Sequence, residues 1–225
     1  MLKYLSKSLS RTVHQCPEEL QKGILKNHNN SNYDTEDDHR TVISLTVWRK
    51  SLIFSCNGFT VIGSDGSLVY RVDNYRGCSS DQIVLMDGSG NPIFTICRRK
   101  LRLVDCSWLV YDGEVGNNSS SKPIFHVRKN MNILEKSSKV LAYVYEYDGI
   151  YDKKKRAYTI EGTYTHRMCK ILDESKRVVA EIKRKQDVAG GVSFGLEVFV
   201  LSVSPGYLDS GVAMAIVSLL DQMFS

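Results

Sequence analysis

The stretch Val212-Ala213-Met214-Ala215-Ile216-Val217-Ser218-Leu219-Leu220, running on toward Met223-Phe224, decides the fold. Pro205-Gly206 breaks the chain ahead of it and Asp209 or Ser210 can serve as N-cap, so the pattern predicts a helix. Apolar side chains occupy that helix almost all round. Such a helix is either deeply buried or embedded in a bilayer, and the uninterrupted apolar run falls well short of the ~20 residues a bilayer requires. Burial is therefore expected, and the rest of the chain has to supply the walls.

Those walls read as strands. From Thr41 onward one unit recurs: an apolar strand, a turn rich in Asp, Gly or Ser, and a second strand that often ends in basic residues. Phe59-Thr60-Val61-Ile62 and Leu68-Val69-Tyr70-Arg71-Val72 flank Gly63-Ser64-Asp65-Gly66-Ser67. Ile83 to Met86 and Pro92 to Arg99 flank Asp87-Gly88-Ser89-Gly90-Asn91, and Lys170 to Leu172 and Val178 to Arg184 flank Asp173 to Arg177. Trp108 to Tyr111 with Ile124 to Arg128 looks like the same unit with a longer loop, and Phe194 to Val203 reads as the last strand. Asp-Gly and Gly-x-Gly supply the positive φ that tight hairpins require, and the flanks alternate apolar with polar as half-buried strands do. A run of hairpins with no helix between them must close or stack to protect its edges, leaving a barrel or a sandwich. The apolar helix selects an all-β barrel of antiparallel strands wrapped around it.

Composition agrees. Of 225 residues, 42% are hydrophobic and 24% charged, with 16 Gly and 4 Pro, which excludes a largely disordered chain, a collagen-like chain and a long coiled coil. The six cysteines lie far apart, with no Cys-x-x-Cys pair and no His at metal-ligand spacing, so no zinc site is expected. With no secretory hydrophobic region, they read as reduced thiols of a cytoplasmic or nuclear protein. Residues 1–40 are expected to form a flexible segment preceding a domain at 41–225. Met1 to Gln15 places Leu2, Leu5, Leu9 and Val13 opposite Lys3, Lys7, Arg11 and His14. That pattern fits a helix on an anionic membrane surface, a mitochondrial transit peptide, or a frayed tail.

Several segments together resemble the plant LURP-one-related proteins. They are Leu45-Thr46-Val47-Trp48-Arg49-Lys50-Ser51-Leu52, Asn57-Gly58-Phe59-Thr60-Val61, Leu68 to Tyr75, the Asp87-Gly88-x-Gly90-x-Pro92 turn, Arg98-Arg99-Lys100 and the closing helix. The resemblance covers roughly Thr41 to Met223. It implies a Tubby C-terminal-like fold of about twelve antiparallel strands around a hydrophobic C-terminal α-helix, shared with phospholipid scramblases, and a signalling role in plant defence or stress.

No enzyme is expected. The Gly-rich segments sit between strands rather than ahead of a helix, so they are turns and not phosphate loops. Pro92 and Arg98 stand where a calcium loop needs Gly and Glu. His126 and His166 lie in strand-like segments without a carboxylate spaced to orient them. No nucleophile elbow or metalloprotease pair occurs, and no catalytic residue, metal or cofactor is assigned.

Basic clusters remain. Thirty Lys+Arg against 25 Asp+Glu leave a net charge of +5, all of it in the body, since the segment before Thr41 is balanced. The residues expected to meet an anionic ligand are Arg98, Lys100, Arg102, Lys153, Lys154, Lys155, Arg156, Lys183 and Lys185. The competing reading is that outward Lys and Arg keep a barrel in solution and blunt its edges. If they converge, the ligand is an anionic phospholipid headgroup, each cation contributing ~1 kcal/mol near a charged surface. Tubby-type relatives bind a phosphoinositide through basic side chains, and the resemblance carries none of those positions over to this chain. The function expected is thus a non-enzymatic, monomeric module binding anionic phospholipid or protein, cytoplasmic with peripheral-membrane or nuclear association. The alternative is a nuclear adaptor or transcription-associated protein, imported through Lys153 to Arg156, that binds no lipid; direct nucleic-acid readout is not expected.

Overall fold

The computed structural model describes residues 41–54, 56–74, 82–101, 105–115, 122–131, 139–147, 155–186 and 194–224, without the side chains of residues 100, 101, 105 and 106. The expectations for residues 1–40, Arg102, Lys153 and Lys154, and for the Lys100 side chain, lie outside this set. The strands are β1 Ile43–Trp48, β2 Asn57–Ile62, β3 Leu68–Asn74, β4 Gln82–Asp87, β5 Pro92–Leu101, β6 Asp105–Asp112, β7 Phe125–Lys129, β8 Val140–Glu146, β9 Arg156–Thr163, β10 Met168–Leu172, β11 Val178–Arg184 and β12 Val198–Val203. A 3-10 turn covers Tyr164–His166, and α1 runs Ser210–Phe224.

Each strand pairs antiparallel with its neighbours in sequence, and β1 pairs with β12 (Ile43 with Val203, Trp48 with Val198), closing the barrel. Period-two alternation sends Leu45 and Val47 of β1, Leu85 of β4, Ile96 of β5 and Phe199, Leu201 and Val203 of β12 into the lumen, where all are buried. The expected hairpins form. Asp87 closes its turn by accepting the Asn91 amide at 2.8 Å, and Asp173 accepts that of Arg177 at 2.9 Å. Gly162 is irreplaceable for a different reason: at φ 119 a Cβ would lie 2.1 Å from the Met168 carbonyl oxygen of β10.

Helix α1 fills the lumen, and every residue from Ala213 to Leu220 is buried. Burying each large aliphatic side chain contributes roughly 1.5–3 kcal/mol, so helix and inner wall form one core. Asp209 rather than Ser210 caps the helix, its Oδ1 accepting the Gly211 and Val212 amides at 2.9 and 3.0 Å. Ser210 instead meets the Tyr70 hydroxyl at 2.7 Å.

Two strand expectations change. β12 starts at Val198 rather than Phe194, because Gly195 takes φ 62 and residues 195–197 form a turn. His126 lies in β7, but His166 ends the 3-10 turn, which Arg167 reverses in a left-handed conformation at φ 55. Since strands alternate in direction, successive turns fall at opposite ends of the barrel. The cap end, where α1 begins, holds the β2–β3, β4–β5 and β10–β11 turns; the anchor end, where α1 finishes, holds the β1–β2, β9–β10 and β11–β12 connections.

Candidate functional site

The anchor end is built around one carboxylate. Asp221, in the last turn of α1 and buried, accepts the Arg49 Nε at 2.9 Å and lies 4.0 Å from the Arg167 guanidinium. The Tyr164 hydroxyl stands 3.2 Å from the same carboxylate oxygen. Arg167 also donates to the Leu196 carbonyl at 2.9 Å, and its guanidinium packs 4.3 Å from the Tyr164 ring centroid and 4.6 Å from that of Phe199. Burial pushes the Tyr164 phenol far up, and the Asp221 charge adds to it. For Arg49, burial works downward, yet the attraction of Asp221 and Glu197 outweighs it and holds the guanidinium charged. Lys129 donates to the Met223 carbonyl at 2.8 Å, answering one of the open carbonyls at the negative end of the helix.

Charge separates between the two ends among the described residues. The cap end carries Asp65, Asp87, Asp112, Glu114, Glu146, Asp173, Glu174 and Asp209 against Lys122, Lys155, Arg156, Lys176 and Arg177. The anchor end reverses this, with Arg49, Lys50, Arg98, Arg99, Arg128, Lys129, Lys139, Arg167, Lys183, Arg184 and Lys185 against Asp73, Glu161, Glu197 and Asp221. Asp87 is held below the usual carboxylate range by its bonds from Asn91, and Asp65 by those from Ser67, so the cap end stays anionic. A cleft of about 490 Å³ opens there, lined by Ile43, Phe125, Tyr158, Leu208 and Val212, with Asp209 as its charged member. It is an apolar groove unsuited to an anion.

The expected ligand residues divide between the ends. Lys155 pairs with Glu174 at 2.9 Å and Arg156 lies 4.4 Å from the Tyr143 ring centroid, both at the cap end. Arg98 reaches the anchor-end mouth, its guanidinium 5.8 Å from the Trp108 ring centroid. Lys183 pairs with Glu181 at 2.7 Å, and Lys185 crosses β12 to reach Thr46 Oγ1 at 3.1 Å. β5 and β11 stand six places apart in the ring of twelve strands, so Arg98 and Lys183 lie on opposite walls of one end. No pocket-sized ligand spans them; a flat surface facing that end meets both. Sequence reasoning left out Lys50 and Arg184 as ligand candidates, together with the exposed apolar side chains that share this end, Trp48, Leu52, Phe54, Met131, Met168 and Leu196. The usable signal was the run Trp48-Arg49-Lys50-Ser51-Leu52-Ile53-Phe54, which abandons period-two alternation between two strands.

Among the described residues no helix is long and apolar enough to cross a membrane. An X-ray structure of a protein from Arabidopsis thaliana superposes with a TM-score of 0.56 at 22% identity, covering 81% of this chain and 91% of that one, which shows the shared fold. Protein LURP-one-related 8 of Arabidopsis thaliana is 50% identical over 189 residues, 83% of this chain and 90% of its own length. Protein LURP-one-related 17 of the same plant is 49% identical over 189 residues, 81% of this chain and 83% of its own. Neither name describes an enzyme. The family model described as LURP-one-related spans residues 43–221, from the opening strand to the Asp221 that anchors the helix, and with relatives this close the chain belongs to the LURP-one-related family.

Proposed function

We propose that this protein is a non-enzymatic module that attaches to anionic phospholipid surfaces through the anchor end of its barrel. The observation that carries the reading is the segregation of charge: basic side chains surround one end from opposite walls while acids dominate the other. A planar anionic partner approached end-on meets the exposed members of this set, among them Lys50, Arg98, Arg99, Arg128, Lys183 and Arg184, each worth ~1 kcal/mol near the surface. Such attraction weakens with salt, because exposed charges are screened beyond ~10 Å at 0.1 M ionic strength.

Co-sedimentation of the full chain with neutral and phosphatidylserine-containing vesicles, at low and high salt, tests it. Binding is expected to the anionic vesicles only, and to fall with salt. Changing Arg99, Lys183 and Arg184 to Glu should lower the affinity by more than about a hundredfold in total, given ~1 kcal/mol per lost cation and added repulsion. The same reversal at Lys155 and Arg156 should leave it unchanged. Equal loss from both ends, or indifference to lipid charge, contradicts the proposal.

A further inference from the structure

The β1–β2 connection has an unusual division of labour. Its base is tied down: the Arg49 amide donates to the Glu197 carbonyl at 2.8 Å, Thr60 Oγ1 donates to the Lys50 carbonyl at 2.7 Å, and the Ser51 hydroxyl bonds Asp73, itself paired with Arg71 at 2.6 Å. The Ile53 amide donates to Ser51 Oγ at 3.0 Å and the Cys56 amide to the Ile53 carbonyl at 3.2 Å, so local bonds continue to the tip. Yet the tip presents apolar side chains outward, with Leu52 53% and Phe54 97% exposed. Trp48, 40% exposed, stands at the foot of the loop with the Lys50 ammonium 5.2 Å from its ring centroid.

A Phe left almost wholly in water on a loop whose polar base is satisfied gains nothing for the fold, and its burial elsewhere is favourable. The neighbouring anchor-end connections add exposed Leu196 and Met168, with Lys183, Arg184 and Lys185 alongside. Exposed apolar tips, a Trp at their foot and cations alongside match the layered chemistry of a bilayer interface: acyl chains, then glycerol and carbonyls, then phosphates.

Resting on the anionic-surface reading above, we infer that the β1–β2 loop inserts Leu52 and Phe54 into the acyl region of an anionic bilayer, with Trp48 at the headgroup level and Lys50 on the phosphates. The protein carries its own reporter. Of its two tryptophans, Trp48 is at the rim and Trp108 is 4% exposed inside the barrel, so quenchers in the acyl chains reach one of them.

The full chain is mixed with vesicles of phosphatidylcholine and phosphatidylserine in which the phosphatidylcholine carries brominated acyl chains. Tryptophan emission should be quenched and blue-shifted on binding, by bromines near the carbonyls more than by those near the methyl ends. Phe54→Ser and Leu52→Ser, at positions with little packing to lose, should keep the melting temperature, lower vesicle partitioning about tenfold each and leave a residue of binding that high salt removes. If the wild-type protein sediments with anionic vesicles but shows no bromine quenching and both variants bind equally, the insertion falls while the electrostatic reading stands. If it does not sediment with anionic vesicles at all, both fall. Should Phe54→Ser change the oligomeric state and leave partitioning untouched, the tip is a protein contact and the inference is overturned.

Discussion

The two ends of this barrel solve the same problem with different chemistry. At each, a helix terminus leaves backbone groups without intrahelical partners. At the start Asp209 accepts the open amides as an exposed N-cap whose oxygens could be replaced by water; at the finish Lys129 donates to the Met223 carbonyl, and Asp221 is buried under Arg49, Arg167 and Tyr164, where no water can substitute for it. The cap end is therefore a set of local, forgiving turns. The anchor end is a network assembled from residues as far apart as Arg49 and Asp221, 172 positions in sequence. Stability of the helix seat and the proposed surface function are concentrated at the same end.

The harshest way to break this arrangement is to disconnect the ends. Ile216→Asp places an unpaired charge midway along the lumen and should cost more than about 5 kcal/mol, enough to leave no cooperative thermal transition. Next, Asp221→Ala leaves the buried Arg167 guanidinium without its anion and Arg49 with only the exposed Glu197, and a loss of about 3–5 kcal/mol is expected in urea denaturation. Asp209→Ala should cost only about 1 kcal/mol by the same assay, since only a cap is lost. Equal effects from the two Asp substitutions would erase the distinction drawn between the ends.

Proton linkage sharpens it further. The Tyr164 phenol is raised above its ordinary 10.0, so its contribution is complete below that value and drains away as pH climbs past it. Wild-type stability should fall through about pH 10 to 11 more steeply than that of Tyr164→Phe, read from urea midpoints. Asp65 and Asp87 are lowered from 3.8, so the contribution of their turns is present above that value and lost as pH falls below it. Asp87→Asn should therefore flatten the acid limb slightly and leave the alkaline limb as it is.

The hairpins and the buried helix were readable because their signals are local: Asp-Gly turns, period-two alternation and an all-round apolar run each lie within a few residues. The division of the basic clusters was not. Lys153 to Arg156 and Lys183 to Lys185 look alike as text, yet Lys155 and Arg156 open a strand leaving the cap end, while Lys183 to Lys185 close one reaching the anchor end. Counting turns along a meander assigns each to its end, and that count needs the strands in between to be complete. The Asp221 cluster carried no local signal at all, because its members meet only after closure.

Closure itself sets a timetable. β1 finds its outer partner only in β12, and the apolar lumen has no filling until α1 follows. At about 5–20 residues per second of synthesis, Trp48 waits on the order of 10 to 30 s before Val198 exists to pair with it. During that interval the nascent sheet has two open edges and an unfilled apolar face, the features that expose an incomplete β domain to aggregation until its last strand and helix arrive.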